Sequence, residues 1–512
     1  MSSFILPYTT LQPTYARVFD DVAAQLVPAE RVWLSAYAHN AQAHSLHAKL
    51  VLEPCKPLTG ERAAETAGGV CVAEVLNGNG LKVQRMSDSM LDFSVSNTAS
   101  SSYTGSTSAR VPQPSVVVPP TLLRQPRKTL GPLVRGHAGV SAFDVATCSS
   151  GIERYVAGGA DGDLRVGVLD LPAEEAAASQ ELSADADPES RIEALAQQRM
   201  QQKLRDIARD QVVHCKGHVG DIRSVRFFPS GEVILSTSSD HTSRIFSALD
   251  GSSPRTLTGH SRAVLCSAAI GRGRQVITGS ADGTSRIYDV STGKQIGMLG
   301  AERFSSVNAM ALAPTSSAAA QNGAAEESLH GLLVTGLSSG QVELHDLRSK
   351  QRTALLPTFL FPLGAAPAAT DSWTQDRAGG IASVAWATEH MLFSGSLNGI
   401  VAAHDLRMAS ESNSNDASAA PASLLCSWRR NGAAVTDLFV PPTSGAPREL
   451  LVASADGLPY RADVEALLSG DGSAPRVTTE LCGWEAESVE AVRLDGKGRV
   501  LGAGAEGMLR RY

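Results

Sequence analysis

Three Gly-His pairs recur along this chain, at 136–137, 217–218 and 259–260, and each is followed about 22 to 24 residues later by a turn aspartate: Asp161, Asp240 or Asp282. A repeated unit constrains the fold more tightly than any single motif, because each copy must bury its faces against its neighbours. The clearest copy, VITGSADGTSRIYDV at 276–290, reads as an alternating strand, an Asp-Gly hairpin turn and a second alternating strand. Weaker copies follow at 338–346, 397–405, 455–463 and 505–512. The seven turn anchors are Asp161, Asp240, Asp282, Ser339, Asn398, Asp456 and Glu506. They lie roughly 40 to 60 residues apart, with one gap near 80, against about 40 to 45 for a four-stranded blade repeat.

In the second copy His218, Ser236, Asp240 and Phe246 stand in the same order as His260, Thr278, Asp282 and Tyr288 in the third. This set resembles the WD-repeat network, in which histidine, hydroxyl, aspartate and indole satisfy one another's buried hydrogen bonds. Tyr288 keeps a donor where that family has Trp, whereas Phe246 cannot donate. The first copy has His137 and Asp161 but Ala157 and Gly167 at the other two places, and copies four to seven lack the Gly-His pair. The expected fold is all-β: a seven-bladed WD-repeat β-propeller with a small β-containing N-terminal domain. Histidines and aspartates in such a set lock blades and do not ligate metals or perform catalysis.

The chain ends at Tyr512 inside the seventh repeat, so that blade needs a strand from elsewhere, and 129–135 is placed to supply it. Residues 97–128, rich in Ser, Thr and Pro at 97–121, read as a linker between an N-terminal domain at 1–96 and the propeller at 129–512. Within the first domain, 70–86 reads as a hairpin about an Asn-Gly turn and 91–96 as a further strand. The long gap between the first two anchors is an acidic, then helix-like, insertion at 171–209, and 409–423 reads as a disordered insertion.

An apolar share of 43% supports sizeable cores, while 46 glycines and only 5% aromatics favour many turns and short strands. A net charge of -7 offers no basic field for a polyanion, so nucleic acid is not an expected partner. Seven scattered cysteines, never spaced C-x-x-C, indicate neither a disulfide framework nor a zinc site, and His39, His44 and His47 have no matching ligand cluster. No cofactor and no metal are expected. The N-terminal residues lack a signal-peptide pattern and no apolar run is long enough to cross a bilayer, which points to the cytoplasm, with the nucleus as a further compartment, and to no membrane partner. The G-x-S-x-G string at 336–340 precedes a strand and not the helix that a hydrolase elbow requires. With no P-loop and no H-E-x-x-H, the chain is not expected to be an enzyme.

The strings at 216–236 (KGHVGDIRSVRFFPSGEVILS) and 259–289, with the terminal EGMLRRY, resemble the proteasomal ATPase-associated factor family. The likeness is close over 217–300 and thin before residue 130, and Phe246 and Tyr288 depart from its usual Trp. It implies a monomeric, non-catalytic assembly chaperone that binds the C-terminal domain of a proteasomal AAA ATPase subunit while the regulatory particle base is assembled. On a propeller, the loops joining one blade to the next share a rim with the mid-blade hairpins, and the long insertions fall on the opposite rim. On the first rim, Trp373, Trp484, Glu485, Glu487 and Arg429 are the expected partner contacts, aromatic anchors flanked by charge. The alternative is a substrate receptor of a cullin-RING ubiquitin ligase. His345-Asp346-Leu347-Arg348 and His404-Asp405-Leu406-Arg407 resemble the adaptor-binding W-D-x-R box of such propellers, with His for Trp in both.

Overall fold

The computed structural model describes residues 2–12, 14–37, 45–54, 70–76, 81–87, 90–95, 118–124, 126, 128–131, 133, 139–148, 151–170, 212–314, 331–357, 379–407, 423–442, 448–468, 474–484 and 487–512. The expected insertion at 171–209, residues 409–422 of the one expected at 409–423, and residues 97–117 of the expected linker lie outside them.

Seven antiparallel blades follow one another along the chain. Blade one pairs Val140–Thr147, Glu153–Gly159, Leu164–Asp170 and Val213–Cys215. Blade two is Ile222–Phe227, Val233–Ser238, Ser243–Ser247 and Arg255–Leu257; blade three is Val264–Ile270, Gln275–Ser280, Thr284–Asp289 and Gln295–Gly300. Blades four, five and six begin at Val307–Leu312, Ile381–Trp386 and Val435–Phe439 and end at Gln351–Pro357, Leu424–Arg429 and Arg476–Leu481. Blade seven has Val489–Leu494, Val500–Gly504 and Leu509–Arg511 from the end of the chain, and Lys128–Leu130 supplies its outer strand, with Leu509 opposite Leu130 and Arg511 opposite Lys128. The protein is an all-β WD propeller whose last sheet is completed from before its first.

Alternation explains the cores. Inward residues such as Ile234, Phe246, Ile277, Ile287, Val334 and Phe393 are fully buried where one blade stacks on the next. Around the channel the first strands are laced blade to blade. Ser141 Oγ donates to the Ile222 carbonyl and Thr436 Oγ1 to that of Val489. Asp144 accepts from the Phe227 N–H at 2.8 Å, Ser383 Oγ from Leu438 N–H at 3.0 Å, and Asp437 from Val492 N–H at 3.2 Å. On the second rim a charge cluster crosses the closing seam. Asp170 of blade one meets Arg499, Lys497 and Arg511 of blade seven, and Glu153 accepts from the Gly496 N–H.

The N-terminal region departs from the expected tethered domain. Ser2–Ile5 runs parallel along the outer strand of blade five, and Val118–Arg124, inside the stretch read as linker, runs parallel along Arg476–Leu481 of blade six. Met90–Val95 and Leu81–Ser87 extend that sheet to seven strands. The hairpin expected over 70–86 is therefore corrected: Leu81–Ser87 pairs with Met90–Val95, while Val70–Leu76 joins a separate sheet with Tyr8–Leu11, Glu30–Tyr37 and Ser45–Pro54. The physical reason is the second pairing edge: Met90–Val95, laddered on Val118–Arg124, offers Leu81–Ser87 a full antiparallel partner. Helix Tyr15–Ala23 lays Tyr15, Val18 and Val22, spaced as one helical face, on Leu34, Leu50 and Leu52, in a core shared with Leu91, Val95 and Leu123. The unpaired edges of two blades are thus covered by the chain itself.

Candidate protein-binding site

The first rim is rigid where the Gly-His pairs stand. His218 Nδ1 lies 2.8 Å from Asp240 Oδ2, and its Nε2 lies 2.8 Å from Ser236 Oγ. Blade three repeats this with His260 Nδ1 at 2.9 Å from Asp282 Oδ2 and Nε2 at 2.9 Å from Thr278 Oγ1. Nδ1 faces a carboxylate and so donates, which leaves Nε2 to accept from the hydroxyl. The aspartates also accept from backbone, Asp240 from Val219 and Thr242 N–H, Asp282 from Ser261 and Thr284 N–H. Each carboxylate therefore clamps the loop into its blade to the mid-blade turn. Burial would raise the pKa of both aspartates, but hydrogen bonds from Thr242 and His218, and from Thr284 and His260, overcome it and hold both at about 2. Burial lowers the pKa of His218 and His260, which keeps both rings neutral. Tyr288 donates to the Thr258 carbonyl at 3.1 Å, and Phe246 packs edge-on against the His218 ring.

Other blades use different residues to the same end, and alignment with copy three gives no sign of them. In blade one Arg165 bridges Asp161 at 3.2 Å and the Leu133 carbonyl at 2.9 Å; His137 lies outside the described residues. Blade five places His404 Nε2 at 3.2 Å from Ser394 Oγ, the place a WD-repeat Trp would take, and burial lowers its pKa to about 4. Blade four uses the fully buried Glu343, which accepts from Glu302 N–H at 2.9 Å, His345 Nε2 at 3.1 Å and Arg352 at 3.0 Å. Among the described residues, Glu153, Asp170 and Asp495 are the one converging trio of metal-capable side chains, and Arg499, Lys497 and Arg511 already match its charge.

The loop that Glu343 anchors is an exposed feature of this rim. In Ala301–Ser305, Arg303 and Phe304 both take left-handed backbone angles, with φ of 53° and 52°, which costs an L-residue energy unless its surroundings impose it. They do. Ala301 N–H donates to the Gly283 carbonyl at 2.8 Å, and a Cβ on Gly283 would come within 2.5 Å of the Phe304 backbone. Glu302 N–H is held by Glu343, and Arg352 bridges Glu302 at 3.2 Å and Glu343 at 3.0 Å. Phe304 is left 76% exposed, and the same rim carries Val219 at 92% and Leu397 at 51%.

Two of the expected contacts are corrected. Trp484 is only 5% exposed: its ring lies against Gly502 and Gly504, where no Cβ could fit, and the Arg510 guanidinium stacks 4.2 Å from its centroid. Arg429 is also 5% exposed, on the edge strand that Ser2–Ile5 covers. Both read as loop or rim residues because the sequence does not reveal which segment packs over them. Glu487 is half-buried, with its backbone against Gly457. Trp373 and Glu485 lie outside the described residues. Phe304, which the sequence offers either as an aromatic of this rim or as a residue packed between blades, is exposed.

The comparisons with known proteins agree on the repeat. The WD domain, G-beta repeat family profile matches 209–247 and 251–289, which contain both His–Asp clamps. The chain is 32% identical over 152 residues to the 26S proteasome regulatory subunit RPN14 of Saccharomyces cerevisiae, covering 28% of this chain and 36% of that protein. It is 31% identical over 84 residues to eukaryotic translation initiation factor 3 subunit I of Danio rerio and of Homo sapiens, covering 16% of this chain and 26% of each of those proteins. The chain thus spans little more than a third of the length of these curated relatives at most.

Proposed function

We propose that this WD-repeat propeller is a non-catalytic chaperone that holds one proteasomal AAA ATPase subunit, through that subunit's C-terminal domain, while the regulatory particle base assembles. The observation that carries the reading is the Phe304 loop. A large aromatic held outward by a buried carboxylate loses little entropy on docking and buries much apolar area. The likeness to a yeast proteasome regulatory subunit supports the choice of partner. The clamps suit a binding role as well, since the histidines and aspartates of blades two and three are engaged by one another and hold the rim rigid for a docking partner.

The cullin-RING reading has one observation on its side. In the second box Asp405 and Arg407 form a two-pronged pair, with Nε to Oδ1 at 3.0 Å and Nη2 to Oδ2 at 2.7 Å, although the box's first residue, His404, is fully buried. Affinity purification of the full chain separates the two. Recovery of an ATPase subunit without core-particle subunits, reduced in a Phe304→Ala variant, supports the chaperone. Recovery of a cullin adaptor, insensitive to Phe304, overturns it in favour of the receptor.

A further inference from the structure

Four residues after each blade's first channel strand begins, the side chains form a ring near the second rim: Asp144, Arg226, Ala268, Ala311, Ala385, Phe439 and Arg493 in blades one to seven. Charge is gathered in blades seven, one and two, and small or apolar side chains fill the rest. The alanines leave space. A cavity of about 460 Å³ opens at this mouth, with Trp386, Phe439, Pro441 and Pro442 among its walls and Arg226 and Arg493 at its charged side.

The two arginines are not equivalent. Arg493 is engaged within the fold through two of its nitrogens: Nε donates to Asp144 at 3.2 Å, and Nη1 donates to Asp437 and to the Val492 carbonyl. Arg226 is held differently. Its Nη1 stands 3.8 Å from Asp144 Oδ1, beyond hydrogen-bond reach, and its side chain is 40% exposed at the mouth. Asp144 has its own hydrogen bonds, from Phe227 N–H and from Arg493, so the charges balance while the Arg226 fork keeps donors for a ligand. The indole of Trp386 is fixed by its N–H bond to the Ala311 carbonyl at 3.2 Å, which sets an aromatic wall of the cavity that Arg226 also lines.

We propose that this second-rim mouth is a peptide-binding site that takes a carboxylate beside an apolar side chain, the carboxylate on Arg226 and the apolar group between Trp386 and Phe439. A planar guanidinium pairs two-pronged with a carboxylate, and an apolar pocket with one polar fork favours a ligand that has both groups close together. The site lies on the opposite rim from Phe304 and stands independently of the function proposed above.

The carboxylate can come from a chain terminus or from an acidic side chain, and the test separates them. Fluorescence polarisation on the full chain uses three labelled hexapeptides ending in Leu-Phe: one with a free C-terminal carboxylate, one amidated, and one amidated with Glu before the Leu-Phe pair. Binding of the first assigns a chain terminus, and binding of the third alone assigns an acidic side chain. Either supports the site provided the plain amide binds at least about tenfold more weakly. Arg226→Gln should weaken binding by about tenfold or more, with Arg226→Lys recovering part of the loss. Ala385→Leu, which fills the mouth without touching the charges, should block it. The proposal is overturned if the amide binds as well as the acids, if none binds below about 1 mM, or if Arg226→Gln and Ala385→Leu both bind like the natural chain.

Discussion

Arg493 and Asp144 lie 349 positions apart in the chain and 3.2 Å apart in the channel, where blade seven meets blade one. Arg493 also donates to Asp437 of blade six, so one side chain ties three consecutive blades across the seam. Both ends are largely buried, and removing one partner strands the others. Arg493→Ala is expected to cost about 3 to 5 kcal/mol, read as a lower urea midpoint, whereas a shift under about 1 kcal/mol would mean that water replaces the guanidinium freely.

Closure predicts a second loss. Tyr512 is fully buried, and its hydroxyl donates to the Cys482 carbonyl at 2.7 Å, while Leu509 opposes Leu130 on the closing strand. Deleting 508–512 removes that buried ring and leaves Lys128–Leu130 without its partner strand. The truncated chain should melt lower and aggregate through the exposed edge. A monomer with an unchanged melting temperature would contradict this.

The third expectation concerns Asp282, which accepts from the His260 ring and from two backbone N–H groups. Asp282→Ala leaves those donors without their acceptor and should cost about 1 to 3 kcal/mol. Asp282→Asn should cost less, because its amide oxygen still accepts. Equal midpoints for Ala and the natural residue would show that the clamp contributes nothing.

What was readable in the sequence follows from what each feature depends on. The blade count and the His218 and His260 clamps rest on local spacing, which a repeat prints into the sequence. Closure was readable because an incomplete last repeat needs a strand, though the strand is Lys128–Leu130 and shorter than the stretch expected. Burial of Trp484 and Arg429 was not readable: it depends on Gly502 and Gly504 and on Ser2–Ile5, partners that lie on other strands or hundreds of positions away. The substitute locks failed for the opposite reason. Glu343 and Arg165 fill the role of the Gly-His clamp with different chemistry, and His404 stands in for the Trp, so a template drawn from copy three passes over them.

Acid should unfold the protein in two stages. The folded pKa of His404 is about 4, below the ordinary value of 6.5, so the unfolded chain takes up a proton first as pH falls and the folded state loses stability between about 6.5 and 4. The loss amounts to up to about 3 kcal/mol. Asp240, Asp282 and Asp170 titrate at about 2 against an ordinary 3.8; for Asp170 burial would raise the value, but Arg499, Lys497 and Arg511 overcome it. Their contribution is complete above about 4 and disappears as pH falls toward 2. Urea midpoints against pH should therefore show two descents, and His404→Asn should shrink the upper one, leaving the part that His218 and His260 contribute, since burial lowers their pKa as well.

The Phe304 loop separates binding from stability. Arg303 and Phe304 hold left-handed backbone angles that a glycine adopts freely, so Arg303→Gly should leave stability unchanged or raise it by up to about 1 kcal/mol, although it loosens the loop. Phe304→Ala removes a ring that touches solvent and should change stability by less than about 0.5 kcal/mol. If Phe304 is the anchor, the same change should weaken partner binding by at least about 2 kcal/mol, roughly thirtyfold, in calorimetry with the purified ATPase C-terminal domain. Glu343→Gln is the informative companion. It leaves Phe304 in the chain but weakens the carboxylate that holds Glu302 and Arg352, so it should lower affinity while the ring itself is intact. Loss with Phe304→Ala and partial loss with Glu343→Gln would assign affinity to a pre-set ring. Full affinity in both would place the partner away from this rim.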